Sequence, residues 1–254
     1  MSRLAFAKLP SAWAKSRPEW VYADDGEQAP AGYIEVPTAF HEGRRAFAKG
    51  SMAQLQWRYC KGGGTAALLI LFALAIISNR RQKQDGLREN ETVLATYEDI
   101  QDLLPISRAL LAKGLRHLLD LGAITVTRTG RNSLYTLTGI EVNGKWCMLP
   151  QQHLFNKHSY LQRLKFFVDQ IKRPSSLHAV KLYMLLLAFR TNGDNIARIS
   201  YDNIGEYSGM RREDISTAIQ ALVAAQLVRL DKDEEKARGE RMHNRYYILG
   251  LVSD

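Results

Sequence analysis

Apolar and polar positions along the chain predict helices joined by short strands. Residues 66–77 (AALLILFALAII) are apolar without interruption. Residues 106–119 and 210–223 carry apolar side chains at every third or fourth position, which predicts helices with one buried face. Residues 124–128 (ITVTR) and 133–139 (SLYTLTG) flank a short polar segment, and this arrangement predicts two strands of a hairpin.

The uninterrupted apolar segment raises the question of a membrane anchor. It has 12 residues, whereas a helix that spans the hydrocarbon layer needs about 20. It also lies too far from the N-terminus to be the apolar region of a signal peptide. We therefore expect a buried helix in a cytoplasmic protein with no membrane partner. Because the segment is apolar all round, we expect it to pack on two sides, against the second unit or another subunit.

The chain repeats its own pattern. Residues 33–37 (YIEVP) match 146–150 (WCMLP) at an offset of 113, and at the same offset 69–79 (LILFALAIISN) match 182–192 (LYMLLLAFRTN) without a gap. Residues 95–126 match 199–230 at an offset of 104, again without a gap. The length differences fall in polar loops, which tolerate insertion. Two similar units therefore follow one another.

Each unit contains the same order of predicted elements after its apolar helix. A short polar–apolar element (VLAT or ARIS) leads to a helix that Thr96 or Ser200 can cap, with Asp99 completing an approximate capping box in the first unit. Pro105 or Gly209 then breaks the chain into a tight turn before a second amphipathic helix. Two strands around a polar hairpin close the unit.

This order of elements resembles that of winged helix-turn-helix proteins. The segments TYEDIQDLLPISRALLAKGLRHLLDLGAI and SYDNIGEYSGMRREDISTAIQALVAAQLV look like the core of bacterial winged-helix regulators, with Gln226 where the second would carry the usual glycine. The resemblance implies a mainly α protein with small β-hairpin wings (α+β) and two repeated winged-helix units. The predicted divisions are an N-terminal extension or linker at 1–30, a first unit at 31–140 and a second at 141–254.

The resemblance also implies which side chains contact DNA, because the second helix of such a motif enters the major groove. In the second unit these are Arg211, Arg212, Glu213, Ser216, Thr217 and Gln220, with wing residues Lys236, Arg238, Arg241, Asn244 and Arg245. In the first unit they are Ser107, Arg108, Lys113 and Arg116, with wing residues Arg128, Arg131 and Asn132. Arg211 or Arg212 is the expected base reader, while the first unit's helix contacts either DNA or a partner subunit.

The charge and composition agree with a nucleic-acid ligand and offer little for catalysis. The net charge of +9 favours a polyanionic partner. The two cysteines stand in unlike contexts, and neither a zinc-binding spacing nor a phosphate-binding glycine loop occurs. His153 and His158 fall in a segment that matches the first repeat, which favours a structural role. We therefore expect no enzyme, no cofactor and no metal site.

A chain made of two winged helices and little else is similar in layout to plasmid replication initiators. The predicted function is sequence-specific binding of double-stranded DNA in replication initiation of a plasmid or other mobile element. A second copy of the chain or a replication protein is the expected further partner. Two alternatives remain open: a transcriptional regulator of the winged-helix type, and a protein-interaction module similar to a helicase loader.

Overall fold

The computed structural model describes residues 6–24, 26–41, 44–85, 92–129, 132–140, 146–155, 161–231 and 244–251. The helices are α1 (Trp57–Cys60), α2 (Gly62–Asp85), α3 (Tyr97–Leu103), α4 (Arg108–Asp120), α5 (Gln151–Leu154), α6 (Lys165–Asp169), α7 (Pro174–Phe189), α8 (Tyr201–Ser208) and α9 (Arg212–Ala224). The strands are β1 (Ala7–Pro10), β2 (Glu19–Ala23), β3 (Ile34–His41), β4 (Arg44–Lys49), β5 (Thr92–Ala95), β6 (Ile124–Thr129), β7 (Asn132–Leu137), β8 (Trp146–Leu149), β9 (Ile196–Arg198), β10 (Val228–Asp231) and β11 (Arg245–Ile248). With 47% helix, 24% strand and small antiparallel sheets, the protein is α+β, as the sequence predicts.

Local signals decide where the shorter helices begin. The hydroxyl of Thr96 accepts a hydrogen bond from the Asp99 amide at 3.1 Å, and the Asp99 carboxylate accepts one from the Thr96 amide at 2.7 Å. This reciprocal pair satisfies amides that the first turn of α3 leaves unbonded, so the predicted capping box is confirmed. Ser107 and Ser200 cap α4 and α8 through their hydroxyl oxygens in the same way.

Two three-stranded sheets share one strand order. In the first, β7 lies between β5 and β6, and in the second, β11 lies between β9 and β10. All four pairings are antiparallel. In each half, the strand that precedes the first capped helix (β5 or β9) therefore pairs with the second strand of the hairpin that follows the next helix (β7 or β11).

The core is built around α2 and α7, which pack against each other. The rings of Phe72 and Tyr183 meet edge to face with their centroids 6.0 Å apart, and a side chain added at Gly64 would meet Leu177. On its other sides α2 contacts α4, β1 and β5. Every residue from 66 to 77 is 6% exposed or less. The expectation that this apolar helix packs on two sides is confirmed, and its partner is the second half of the chain.

The helix α2 is longer than the sequence predicted. The apolar segment that predicts the helix ends at Ile77, but the backbone stays helical to Asp85. Residues 62–80 are long and apolar enough to cross a membrane, yet 89% of the apolar window is buried inside the protein. The packing against α4 and α7 therefore accounts for the apolar composition without a lipid contact.

The N-terminal residues differ from the predicted extension or linker. β1 pairs with β8, with Ala7 opposite Leu149, and β2 joins β4 and β3 in a separate sheet. Among the described residues, 11–18 and the connection formed by 24 and 26–33 contain no helix or strand. The predicted match between 33–37 and 146–150 does not hold for the strands, because β3 and β8 lie in different sheets. Strand β1, ending in Leu9 and Pro10, is the partner of β8 instead.

Candidate nucleic-acid interface

The turn between α8 and α9 is held by buried hydrogen bonds. Gly209 ends α8 in a left-handed conformation (φ 66°), and the Met210 amide donates to the Ser208 hydroxyl at 3.2 Å. The Lys181 amine, 1% exposed, donates to the carbonyl oxygens of Leu55 (3.0 Å) and Ser208. Burial lowers the pKa of the Lys181 amine to about 7. The start of α9 is therefore fixed to α7 and to the segment before α1.

Helix α9 has one buried face and one exposed face. Its buried residues are Ile215, Ala218, Ile219 and Leu222, and the helix packs on α7. The residues predicted to contact DNA are all exposed: Arg211, Arg212, Glu213, Ser216, Thr217 and Gln220. The structure thus leaves all six accessible, with Arg211 at the N-cap and the other five on the exposed side of α9.

Ion pairs organise the charges at the start of α9. The Arg212 guanidinium lies 2.5 Å from the Asp202 carboxylate, and Arg211 lies 3.4 Å from Asp214. The second oxygen of Asp214 is 3.4 Å from Nδ1 of His178. Burial lowers the pKa of His178 to about 4, although Asp214 opposes that shift. Arg211 and Arg212 remain 62% and 71% exposed, so both guanidinium groups stay accessible.

The corresponding helix α4 carries its predicted residues on an exposed face as well. Ser107 caps the helix, and Arg108 pairs with Glu98 of α3. Lys113 and Arg116 are exposed, and the alkyl chain of Lys113 crosses Gly63 at the start of α2. A side chain added at Gly114 would lie 2.6 Å from Ile70, so α4 approaches α2 closely there. The basic groups of α4 therefore project from a firmly packed helix.

The structure describes only part of the two hairpins. Arg128 is exposed at the end of β6, and half-buried Asn132 begins β7 opposite Thr129. In the second hairpin, Arg245 pairs in register with Asp231, and the Asn244 amide group lies 3.2 Å from the hydroxyl of Tyr246. The other predicted wing residues lie outside the described residues: Arg131, Lys236, Arg238 and Arg241.

The sequence did not predict that β2 lies beside the start of α9. An open cleft of about 510 Å³ separates them, with Trp20 and Tyr22 on one wall and Arg211, Arg212 and Glu213 on the other. The floor and sides come from α8 and the turn after it. The aromatic residues of the segment EWVYA are the local signal, but nothing in that segment indicates which surface it covers.

The described residues contain no group of three or more His, Cys, Asp or Glu side chains that could hold a metal ion. His153 instead contacts the Gln226 carbonyl oxygen at 2.7 Å, and His158 lies outside the described residues. Cys60 and Cys147 are free and buried, and burial raises the pKa of Cys147 to about 12.

No protein-family model, curated protein or solved structure matches the chain. A function must therefore be argued from the placement of the side chains.

Proposed function

We propose that this chain binds double-stranded DNA sequence-specifically through two winged-helix units and initiates replication of a plasmid or other mobile element. The observation that carries the proposal is the exposed face of α9, which presents six polar or charged side chains directly after a tightly held turn. A helix placed in this way in a helix-turn-helix motif lies in the major groove, where its first residues meet base edges.

The repeated arrangement supports reading each half as one winged helix. α2, α3 and α4 with their sheet follow the same order as α7, α8 and α9 with theirs, including the central position of the last strand. The two halves also share an ion pair, since Arg108 to Glu98 corresponds to Arg212 to Asp202. Two such units in one chain could read successive major-groove faces without dimerising.

The chemistry of the exposed side chains suits DNA. Arginine can pair bidentately with guanine, glutamine with adenine, and glutamate accepts from the amino group of cytosine. Arg211, Arg212, Glu213 and Gln220 supply these groups on one helix face. Lys113, Arg116 and Arg128 are exposed on the other half, where they suit phosphate contacts that give affinity and register. The net charge of +9 supports the same ligand.

The proposal assigns the protein to the cytoplasm and includes no catalytic step, metal or cofactor. A second copy of the chain or a replication protein is the proposed further partner. Buried free thiols and a buried α2 are compatible with a reducing compartment and a protein free of membrane anchors.

Selection from a random duplex library tests the DNA proposal. We expect the full chain to enrich one sequence and its affinity for any duplex to fall steeply with salt, since phosphate contacts release counterions. Arg212→Ala should lose site preference by roughly 1–3 kcal/mol while keeping nonspecific binding. Arg198→Ala is the matched control, because Arg198 is also exposed and ion-paired, with Asp194. The proposal would be refuted if duplex affinity did not change with salt. It would also be refuted if Arg212→Ala and Arg198→Ala kept the same site preference.

Genome-wide footprinting separates the biological roles. Repeated directional sites beside its own gene are expected for a replication initiator, whereas a promoter palindrome indicates a transcriptional regulator. Recovery of a helicase in a pull-down without any preferred DNA site indicates a loader-like module. Either of the last two results would overturn the replication role.

A further inference from the structure

The sheet formed by β2, β3 and β4 brings two aromatic side chains close to α9, the helix proposed to contact the DNA bases. Trp20 and Tyr22 of β2 line the same open cleft as Arg211, Arg212 and Glu213. Trp20 is half-buried because it packs on Val36, Ala48 and Ala53, whereas Tyr22 is 41% exposed. Tyr22 is therefore the side chain of this strand that a ligand entering the cleft can reach.

The sheet is fixed against the turn that precedes α9. A side chain added at Gly209 would lie 2.6 Å from Nε2 of Gln56 and 2.9 Å from Cγ1 of Val36. Gln56 is itself held by a 2.7 Å hydrogen bond to the Ala53 carbonyl oxygen. The buried Lys181 amine joins the carbonyl oxygens of Leu55 and Ser208. These contacts leave no space at the turn, so the sheet packs directly against the segment that precedes α9.

A second set of contacts ties the segment before β2 to α8. The Arg17 guanidinium lies 3.4 Å from the Glu206 carboxylate and 6.0 Å from the ring centroid of Tyr207. The Lys15 amine lies 5.5 Å from the ring centroid of Phe189, at the end of α7. These contacts hold the N-terminal end of β2 beside α8.

The charges in the cleft are arranged around the two exposed arginines. Two of its carboxylates are already paired, Asp202 with Arg212 at 2.5 Å and Glu206 with Arg17 at 3.4 Å. The third carboxylate belongs to Glu213, which also lines the cleft. A carboxylate at this position can accept a hydrogen bond from the amino group of a cytosine. The wall formed by β2 offers an aromatic ring with a hydroxyl, and tyrosine hydroxyls commonly donate to phosphate oxygens.

We propose that β2 and the first turn of α9 form one composite DNA-contact surface, in which Tyr22 contacts the phosphate backbone of the strand whose bases α9 reads. This inference rests on the proposed function, because it requires α9 to lie in a major groove. Arg211 and Arg212 line the same cleft as Tyr22, so a duplex whose base edges meet these two arginines passes close to β2. The sheet thus adds affinity and register to the contacts of α9.

Substitution of the hydroxyl tests this inference on the full chain. The probe is the duplex that the unmodified protein selects, and binding is measured by fluorescence anisotropy. Tyr22→Phe should weaken binding about threefold to tenfold, with unchanged preference among sequences because a phosphate contact carries no base information. Tyr59→Phe is the matched control, since Tyr59 is 44% exposed but does not line the cleft.

A direct measurement needs no substitution. Duplexes carrying a photoreactive azidophenacyl group on single flanking phosphates should crosslink to the peptide that contains Tyr22, and mass spectrometry identifies that peptide. Equal affinities of Tyr22→Phe and Tyr59→Phe, together with crosslinks elsewhere, would overturn this inference while Arg212→Ala still lost site preference. If the unmodified protein selects no duplex, the proposed function fails and this inference fails with it.

Discussion

The guanidinium of Arg212, the first residue of α9, lies 2.5 Å from the carboxylate of Asp202 in the first turn of α8. The pair has a counterpart at the same place in the other half, where Arg108 of α4 meets Glu98 of α3. Both pairs bridge the two helices across a tight turn. The predicted base reader is therefore paired with a carboxylate, and the proposed function requires this pair to open when DNA binds.

Asp202→Asn should strengthen DNA binding. The substitution removes a negative charge close to the proposed phosphate path and frees the Arg212 guanidinium, so we expect affinity for random duplex to rise about twofold to fivefold at low salt. The free energy of unfolding should change by less than about 1 kcal/mol, because the two side chains are 71% and 78% exposed. Anisotropy and urea denaturation measure the two effects.

Asp169→Asn is the control for that prediction. Asp169 is also exposed and ion-paired, with Lys165 on α6, and its loss changes the net charge equally. If both variants gain the same affinity, the effect comes from net charge and not from the pair with Arg212.

Gly209→Ala should destabilise the protein more than Gly122→Ala. Both glycines have a left-handed φ, 66° and 65°, so both substitutions carry a similar backbone strain of about 1 kcal/mol. A methyl group at Gly209 would also lie 2.6 Å from Gln56, whereas one at Gly122 meets nothing within 4 Å. We expect Gly209→Ala to cost at least about 1 kcal/mol more. Equal midpoints in urea denaturation would show that the sheet can withdraw from the turn.

Gln226→Gly should be more stable than Gln226→Ala. Gln226 occupies the left-handed position (φ 54°) that Gly122 holds in the other half, and there an alanine is strained by about 1–2 kcal/mol relative to glycine. Both substitutions lose the same 2.6 Å hydrogen bond from Arg163 and keep the carbonyl contact to His153. The difference between the two unfolding free energies therefore reports the backbone strain of alanine less the entropic cost of ordering glycine. A variant pair with equal stability would contradict the assigned conformation.

Stability should rise with pH above neutrality because of Lys181. Burial lowers the pKa of this amine from 10.5 to about 7, although Cys60 and Asp214 partly oppose the shift. Between these two values the unfolded chain binds more protons than the folded chain, so the free energy of unfolding increases with pH. The contribution approaches about 1.4 kcal/mol per pH unit once the folded amine is neutral.

Lys181→Met isolates that contribution. The variant has no amine to titrate, so the stability of the unmodified protein relative to it should grow between pH 7 and about 8.5. Measuring below pH 9 limits the opposing effect of the two cysteines, whose pKa values are raised by burial. Parallel pH profiles from urea denaturation would show that Lys181 keeps its proton in the folded state.

The sequence alone determined which segments form α3, α4, α8 and α9, whereas α2 extends beyond its predicted end. Helical spacing, the Thr96–Asp99 capping box and the break at Gly209 act within a few residues, so they operate whatever the rest of the chain does. The exposed face of α9 follows from the same spacing. These local patterns led to the predicted DNA-contact residues.

Only the tertiary structure decided the roles of the N-terminal residues. β1 pairs with a strand about 140 residues away, and Trp20 and Tyr22 reach the start of α9 from the other end of the chain. The pattern of the segment EWVYA predicts a strand, but it does not predict which strand pairs with it or which surface it covers. Likewise, the composition of the apolar segment of α2 predicted burial on two sides. Which residues it meets, such as Tyr183, depends on how α7 packs. Long-range pairings are set by the shape and packing of the whole core, which no short segment encodes.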